Sequence, residues 1–239
     1  MSQPPPTLLA ETPARVLAVY AHPDDPEVSC GGTLAHWGRA GAEVRLVIVN
    51  AGDKGSPDPT MDPAVLTKRR AGEVDAAAEV LGLAGVDRLG LPDGEVSNDL
   101  ALRGQIVRLV RVHRPEVVIC PDPTATFFGD SYVNHRDHRE VGWAVVDAVA
   151  PAAASPLYFP EAGPPHQIGA LLLSGTYEPE VWIDISDSLD LKVAAVQCHE
   201  SRVGGDPSLV AELLRARTAE SGAQVGVEHA EAFRRLRFG

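Results

Sequence analysis

The densest chemistry in the chain sits in seven residues, Ala21-His22-Pro23-Asp24-Asp25-Pro26-Glu27, directly after the apolar run Val16-Leu17-Ala18-Val19-Tyr20. An imidazole and two adjacent carboxylates fall at the carboxyl end of a predicted strand. Neighbouring carboxylates repel each other and compete for water, so a bare loop gains nothing from the pair. A bound divalent cation reverses that balance. His22 and Asp25 can reach one ion, while Asp24 stays free to move a proton. Far downstream, His135-Arg136-Asp137-His138 adds two more imidazoles and a carboxylate. The i, i+3 spacing of the two histidines puts them on one face of a helix.

The surrounding pattern says how these segments meet. Val16–Ala21, Val44–Val49, Val117–Cys120 and Ile168–Leu173 are short continuous apolar runs, as parallel strands covered on both faces require; Val86–Leu91 is a weaker example. Between them, Val74, Ala77, Ala78 and Leu81 form one helix stripe, and Leu102, Ile106, Leu109 and Val110 form another that Pro115 closes off. Leu189, Val193 and Val196 mark a third, in a last stretch from Asp184 read as a strand end followed by helices. The alternation predicts right-handed βαβ units and an α/β fold, a Rossmann-like three-layer α/β/α sandwich with a mostly parallel sheet. In a strand order 3-2-1-4-5, the first and fourth strands flank the crevice where ligands bind. The acidic heptad follows one of them and the histidine cluster follows the other. No GxGxxG follows the first strand, which argues against a dinucleotide cofactor.

The rest of the sequence sets bounds. Its 239 residues suffice for one large domain with a buried core, and residues 1–13 read as a flexible tail. With 21 basic against 33 acidic residues the formal charge is −12, and no Lys/Arg-rich block appears. That argues against nucleic acid or an anionic membrane as partner. Cys30, Cys120 and Cys198 are scattered, odd in number and without CxxC spacing, so they read as buried thiols in a reducing cytoplasm. The start Met-Ser-Gln-Pro-Pro-Pro has no signal-peptide pattern, and no apolar run approaches membrane-spanning length. Residues 53–63, 121–132 and 151–165 are predicted loops, the last a linker or a pocket wall.

The two histidine-bearing motifs, A-H-P-D-D-P-E and H-R-D-H, resemble those of the PIG-L/LmbE family of zinc-dependent de-N-acetylases. Fainter similarities extend over nearly the whole chain: Arg70-x-x-Glu73 with Leu81-Gly82, Leu91-Pro92-Asp93-Gly94, Lys192-x-x-Ala195-x-x-x-His199-x-Ser201, and Ala230-Glu231-Ala232-Phe233. The resemblance implies removal of an acetyl group from a small N-acetylglucosaminyl compound, giving acetate and a free amine. It implies His22, Asp25 and His138 as zinc ligands and Asp24 as general base. His135 would stabilise the oxyanion or protonate the leaving amine, with Asp137 orienting it. Arg70 and Asp93 would bind the sugar. A homo-oligomer is compatible with the resemblance, and iron, cobalt, nickel or manganese could replace zinc at such a site. Pro26, just before Glu27, departs from the family pattern and stiffens the turn.

These roles fit the chemistry. Three protein ligands leave a zinc position open and lower the pKa of a bound water to about 7. Competing readings remain for single residues. Asp25 also suits a helix N-cap, and Asp24 a solvated turn. His138 could lie on a helix surface, and His135 could act behind the site. Glu27 reads as a first-turn acid that favours the helix dipole rather than a ligand, Arg70 and Asp93 could be surface ion-pair partners, and His199 could be a core residue. Two other functions compete: an amidase cleaving a thiol-cofactor conjugate, and a non-catalytic metal-binding protein. A binder has no need of Asp24.

Overall fold

In the computed structural model, which describes residues 6–203 and 206–238, the predicted parallel strands form one contiguous block that runs to the edge of an eight-stranded sheet. They are β2 (Arg15–Tyr20), β3 (Glu43–Asn50), β4 (Gly85–Leu91), β5 (Val117–Pro121) and β8 (Ala170–Ser174). Short β1 (Thr7–Leu8), with β9 (Val181–Asp184) and β10 (Ala230–Arg237), completes the order β1-β9-β10-β8-β5-β2-β3-β4. All neighbours from β8 to β4 are parallel, and β10 is antiparallel to both β8 and β9. The reversal of strand order falls between β2 and β5, as the sequence pattern requires.

Strand alternation divides the core. Val16, Ala18 and Tyr20 face one layer, built of α1 (Asp25–Arg39), α2 (Pro63–Leu81), α5 (Leu189–Gln197) and α7 (Pro207–Ala223). Leu17 and Val19 face the other, built of α3 (Leu100–His113), α4 (Arg136–Asp147) and a π-helical turn at Ala148–Ala153. Burial on both faces explains the unbroken apolar runs. A short α6 (Glu200–Val203) joins α5 to α7. No helix among the described residues is long and apolar enough to cross a membrane.

Three departures from the sequence reading follow from long-range packing. The last third does not end in helices alone: Ala230–Arg237 forms β10, whose three arginines hid it from a search for apolar runs. Thr7–Leu8, inside the stretch read as a tail, pairs with Val181 and Trp182 of β9. The segment 151–165 is neither a linker nor a wall of the main cavity. It wraps around the buried Arg111 side chain, which donates to the carbonyl oxygens of Ala152, Ala153, Ser155, Tyr158, Phe159 and Gly163. The predicted loop 121–132 carries the start of a small hairpin of β6 (Phe127–Phe128) and β7 (Tyr132–Val133).

Two glycines set helix positions that matter below. A Cβ on Gly142 of α4 would lie 2.5 Å from the Pro121 carbonyl oxygen, so α4 rests directly on the end of β5. A Cβ on Gly32 of α1 would lie 2.6 Å from Ile185, fixing α1 against the turn after β9.

Candidate metal centre

The acidic heptad forms the turn from β2 into α1. Asp24 takes φ 94°, ψ −28°, a conformation that non-glycine residues adopt at a cost of about 1–3 kcal/mol. Helix α1 then begins at Asp25. Asp24, not Asp25, therefore occupies the N-cap place, and its side chain makes no capping bond. The Asp25 carboxylate turns back: Oδ2 accepts from the His22 backbone N–H at 2.7 Å.

Three side chains then converge. His22 Nδ1 lies 3.1 Å from Asp25 Oδ2 and 3.1 Å from His138 Nε2, and His138 Nε2 lies 3.1 Å from Asp25 Oδ1. Separations of this size are what tetrahedral ligands at about 2.0–2.2 Å from one ion require. The nitrogens facing away are both anchored. His22 Nε2 meets Asp93 Oδ1 at 3.1 Å, and His138 Nδ1 meets Asn134 Oδ1 at 2.8 Å. These oxygens accept a proton from each ring, which leaves the converging nitrogens with free lone pairs, the arrangement usual behind metal-binding histidines. The donor set of two imidazoles and a carboxylate fits zinc or a similar transition ion.

The charges support a cation here. Burial disfavours the charged imidazole of His22, yet hydrogen bonds to Asp25 and Asp93 lift its pKa to about 10. Burial pushes Asp25 upward, but His138 and His22 outweigh it and hold its carboxyl well below the usual range.

Around this cluster the other candidate residues take distinct places. Asp24 stays outside the three-atom cluster; burial and the charge of Asp25 raise its pKa to about 7, against the pull of Arg70, His199 and Arg202. A carboxylate poised there suits proton transfer at neutral pH. His135 caps α4, its Nδ1 accepting from the Asp137 backbone N–H at 3.1 Å. Burial and the charge of His22 lower its pKa. Accepting at Nδ1 leaves Nε2 as the ring atom that can carry a proton. The Asp137 carboxylate does not hold the His135 ring by a hydrogen bond. Fully buried, its Oδ2 accepts from Asn50 Nδ2 at 3.0 Å and Gly94 N at 2.7 Å, and lies 3.7 Å from His22 Nε2. The reason is the helix start: Asp137 offers its backbone N–H to His135 and turns its side chain inward.

Asp24, Arg70, Asp93, His135, Lys54 and Arg202 open into a cavity of about 610 Å³ bordered by the cluster. Arg70 is only 3% exposed, so it is no surface ion-pair partner; it donates to the Gly52 carbonyl and Ser201 Oγ. A Cβ on Gly52 would fall 2.3 Å from its guanidinium, which explains a glycine at that close approach. Asp93 lines the cavity too, but one of its oxygens is committed to His22.

Sequence reasoning missed Asn134, whose only signal is its place four residues before His138, and Asn50 at the end of β3. It also underread Glu27 and His199. Both are buried, with His199 Nε2 3.2 Å from Glu27 Oε2, so the first-turn acid faces an imidazole rather than solvent. The fainter sequence similarities meet in space. Glu73 accepts from Ser201 N and Oγ at 2.8 and 2.5 Å, and Lys192 pairs with Glu231 at 2.5 Å.

Comparison with known proteins gives a consistent picture. The profile of the family described as PIG-L, GlcNAc-PI de-N-acetylase, matches residues 17–149. Diacetylchitobiose deacetylase of Thermococcus kodakarensis is 32% identical over 224 residues, covering 92% of this chain and 82% of that protein. A 1D-myo-inositol 2-acetamido-2-deoxy-alpha-D-glucopyranoside deacetylase of Saccharopolyspora erythraea is 29% identical over 224 residues, covering 82% and 76%. Among solved structures, N,N'-diacetylchitobiose deacetylase from Pyrococcus horikoshii, complexed with its inhibitor MPG, superposes with a TM-score of 0.86 at 27% identity, covering 94% of this chain and 84% of that one.

Proposed function

The chain belongs to the PIG-L family, and from that premise we propose that it is a metal-dependent hydrolase that removes the acetyl group from a small N-acetylglucosaminyl compound. The products are acetate and the free amine. The observation that carries this reading is the pair of histidines whose outer nitrogens are anchored while their inner nitrogens converge on Asp25, with the separate carboxylate Asp24 beside them.

In this reading His22, Asp25 and His138 hold the metal, taken to be zinc, and when bound it supplies an activated water and a Lewis acid. Asp24 takes the proton from the attacking water and passes it to the departing amine, a shuttle suited to its near-neutral pKa. His135 donates from Nε2 to the oxygen on which negative charge develops. Arg70 and Asp93 hold the sugar from the cavity floor, and Asp137 braces the turn at Gly94 behind His22. The three unpaired cysteines suit a reducing cytoplasm. A non-catalytic metal-binding role leaves the strained, pKa-raised Asp24 without a purpose.

The test is to measure bound metal in the purified chain and amine release from a panel of N-acetylglucosamine derivatives, with and without chelator. Stoichiometric metal and chelator-sensitive release are expected. Bound metal without turnover would shift the reading to a binding protein, and no metal even after zinc addition would refute the ligand assignment.

A further inference from the structure

A second cavity, of about 400 Å³, borders the same cluster. The two share Asp25, Ser29, Tyr132 and His138, so the converging ligand atoms form part of the partition between them. Their chemistry differs. Asp24 and His135 open only into the larger cavity. The smaller is walled by Tyr20, Pro121, Phe128, Tyr132 and Gly175; Asn134 and Ser174 also line it but are bonded to His138 and Tyr20, and Arg217 adds a charge. Its outer wall is built: Phe128 stacks between Tyr132 and Tyr177, with ring centroids 5.9 and 5.0 Å apart, and the Tyr177 hydroxyl donates to the Phe127 carbonyl.

Resting on the deacetylase reading, the reaction itself assigns these spaces. Water oxygen bonds to the acyl carbon, the C–N bond breaks, and both of the water's protons end on the leaving nitrogen; a carboxylate and an ammonium group result. The amine must face Asp24 to receive its proton, and the oxyanion must face His135. Both lie toward the larger cavity. The acyl substituent is the one group on that carbon that needs no polar partner, and the smaller cavity, with three aromatic rings in its walls, is the space left for it. An acetyl methyl occupies roughly the volume of one water, about 30 Å³, a small part of what is there. We infer that the smaller cavity is an acyl pocket and that the chain also hydrolyses N-acyl groups longer than acetyl.

The experiment compares N-acetyl-, N-butyryl- and N-hexanoylglucosamine on the full chain, and measures binding of acetate and hexanoate by calorimetry. The inference expects kcat/KM for the longer groups at or above that for acetyl. Hexanoate should bind more tightly than acetate, by up to about fourfold for each buried methylene. Phe128→Ala should lower the hexanoyl-to-acetyl ratio about tenfold and erode the advantage of hexanoate. If acetyl is hydrolysed while the longer groups fall about a hundredfold and hexanoate binds no better than acetate, the inference is overturned and the deacetylase reading stands. If no member is hydrolysed, the deacetylase reading fails and the inference fails with it.

Discussion

The two halves of helix α1 are both held by buried charge, in opposite ways. The helix breaks at Cys30, where φ is −145° and ψ 17°. Beyond the break, Glu231 accepts from Gly32 N at 3.1 Å and Thr33 N at 2.7 Å. Before it, Lys192 Nζ donates to the carbonyls of Glu27 and Val28 at 3.1 and 2.8 Å, and closes on Glu231. Cation, anion and the interrupted backbone satisfy one another completely. At the start of the same helix, Asp25 and two imidazoles point their acceptor atoms at a shared point. The structural pair is the more deeply buried, with Lys192 and Glu231 side chains 2% and 4% exposed against 11%, 16% and 20% for His22, Asp25 and His138, so burial alone does not mark a functional site. What distinguishes the first turn is lone pairs that converge with no protein donor between them.

The sharpest way to break this contrast is to remove a converging atom. His138→Ala should lose bound metal and hydrolysis together, whereas His135→Ala should keep the metal; equal metal loss in both would refute the division of labour. Next in size, Asp24→Asn should lower kcat by about 10²–10⁴ with metal content unchanged, read by steady-state kinetics beside elemental analysis. The other half of α1 should respond in stability instead. Lys192→Met leaves Glu231 buried without its cation and should cost about 3–5 kcal/mol in denaturant unfolding, with metal stoichiometry retained in the folded fraction.

Smaller effects sharpen the picture further. Asn134→Ala frees the outer nitrogen of His138 and should weaken metal affinity about 10–100-fold, measurable by competition with a chelator. The smallest expected change concerns the metal-free protein. The carboxyl of Asp24 has its pKa raised to about 7 on folding, from 3.8. Between those values the unfolded chain has lost a proton that the folded chain keeps, so stability falls as pH rises across that window and the penalty is full above it. Asp24→Asn should therefore raise the unfolding free energy of the metal-free protein at pH 8, by on the order of 1 kcal/mol, and leave it unchanged at pH 3. An equal gain at both pH values would show that the strain at Asp24 is not electrostatic.

Much of this was legible because it is local. The heptad and the H-R-D-H segment carry their chemistry in adjacent residues, and the apolar runs fix strands whose order brings both segments to one crevice. What was not legible depends on partners far apart in sequence. Asp93 reads as a sugar contact alone until one of its oxygens is seen 3.1 Å from His22. Asp137 reads as the orienting partner of its neighbour His135, yet the helix start gives that task to its backbone N–H. Glu27 and His199 are separated by most of the chain, and only the packing of α5 against α1 brings them together. Strand β10 escaped notice because its arginines follow the sheet to an exposed end.

Arg111 carries one more consequence. Its guanidinium reads six backbone carbonyls of the segment 152–163 and no side chain of it. The shape of that loop is therefore specified from outside its own sequence, while Leu157 and Tyr158 at its tip stand 89% and 50% exposed. New side chains or a short foreign peptide can be grafted at that tip without rewriting the instructions for its fold, which makes the loop a ready display platform set apart from the candidate metal centre.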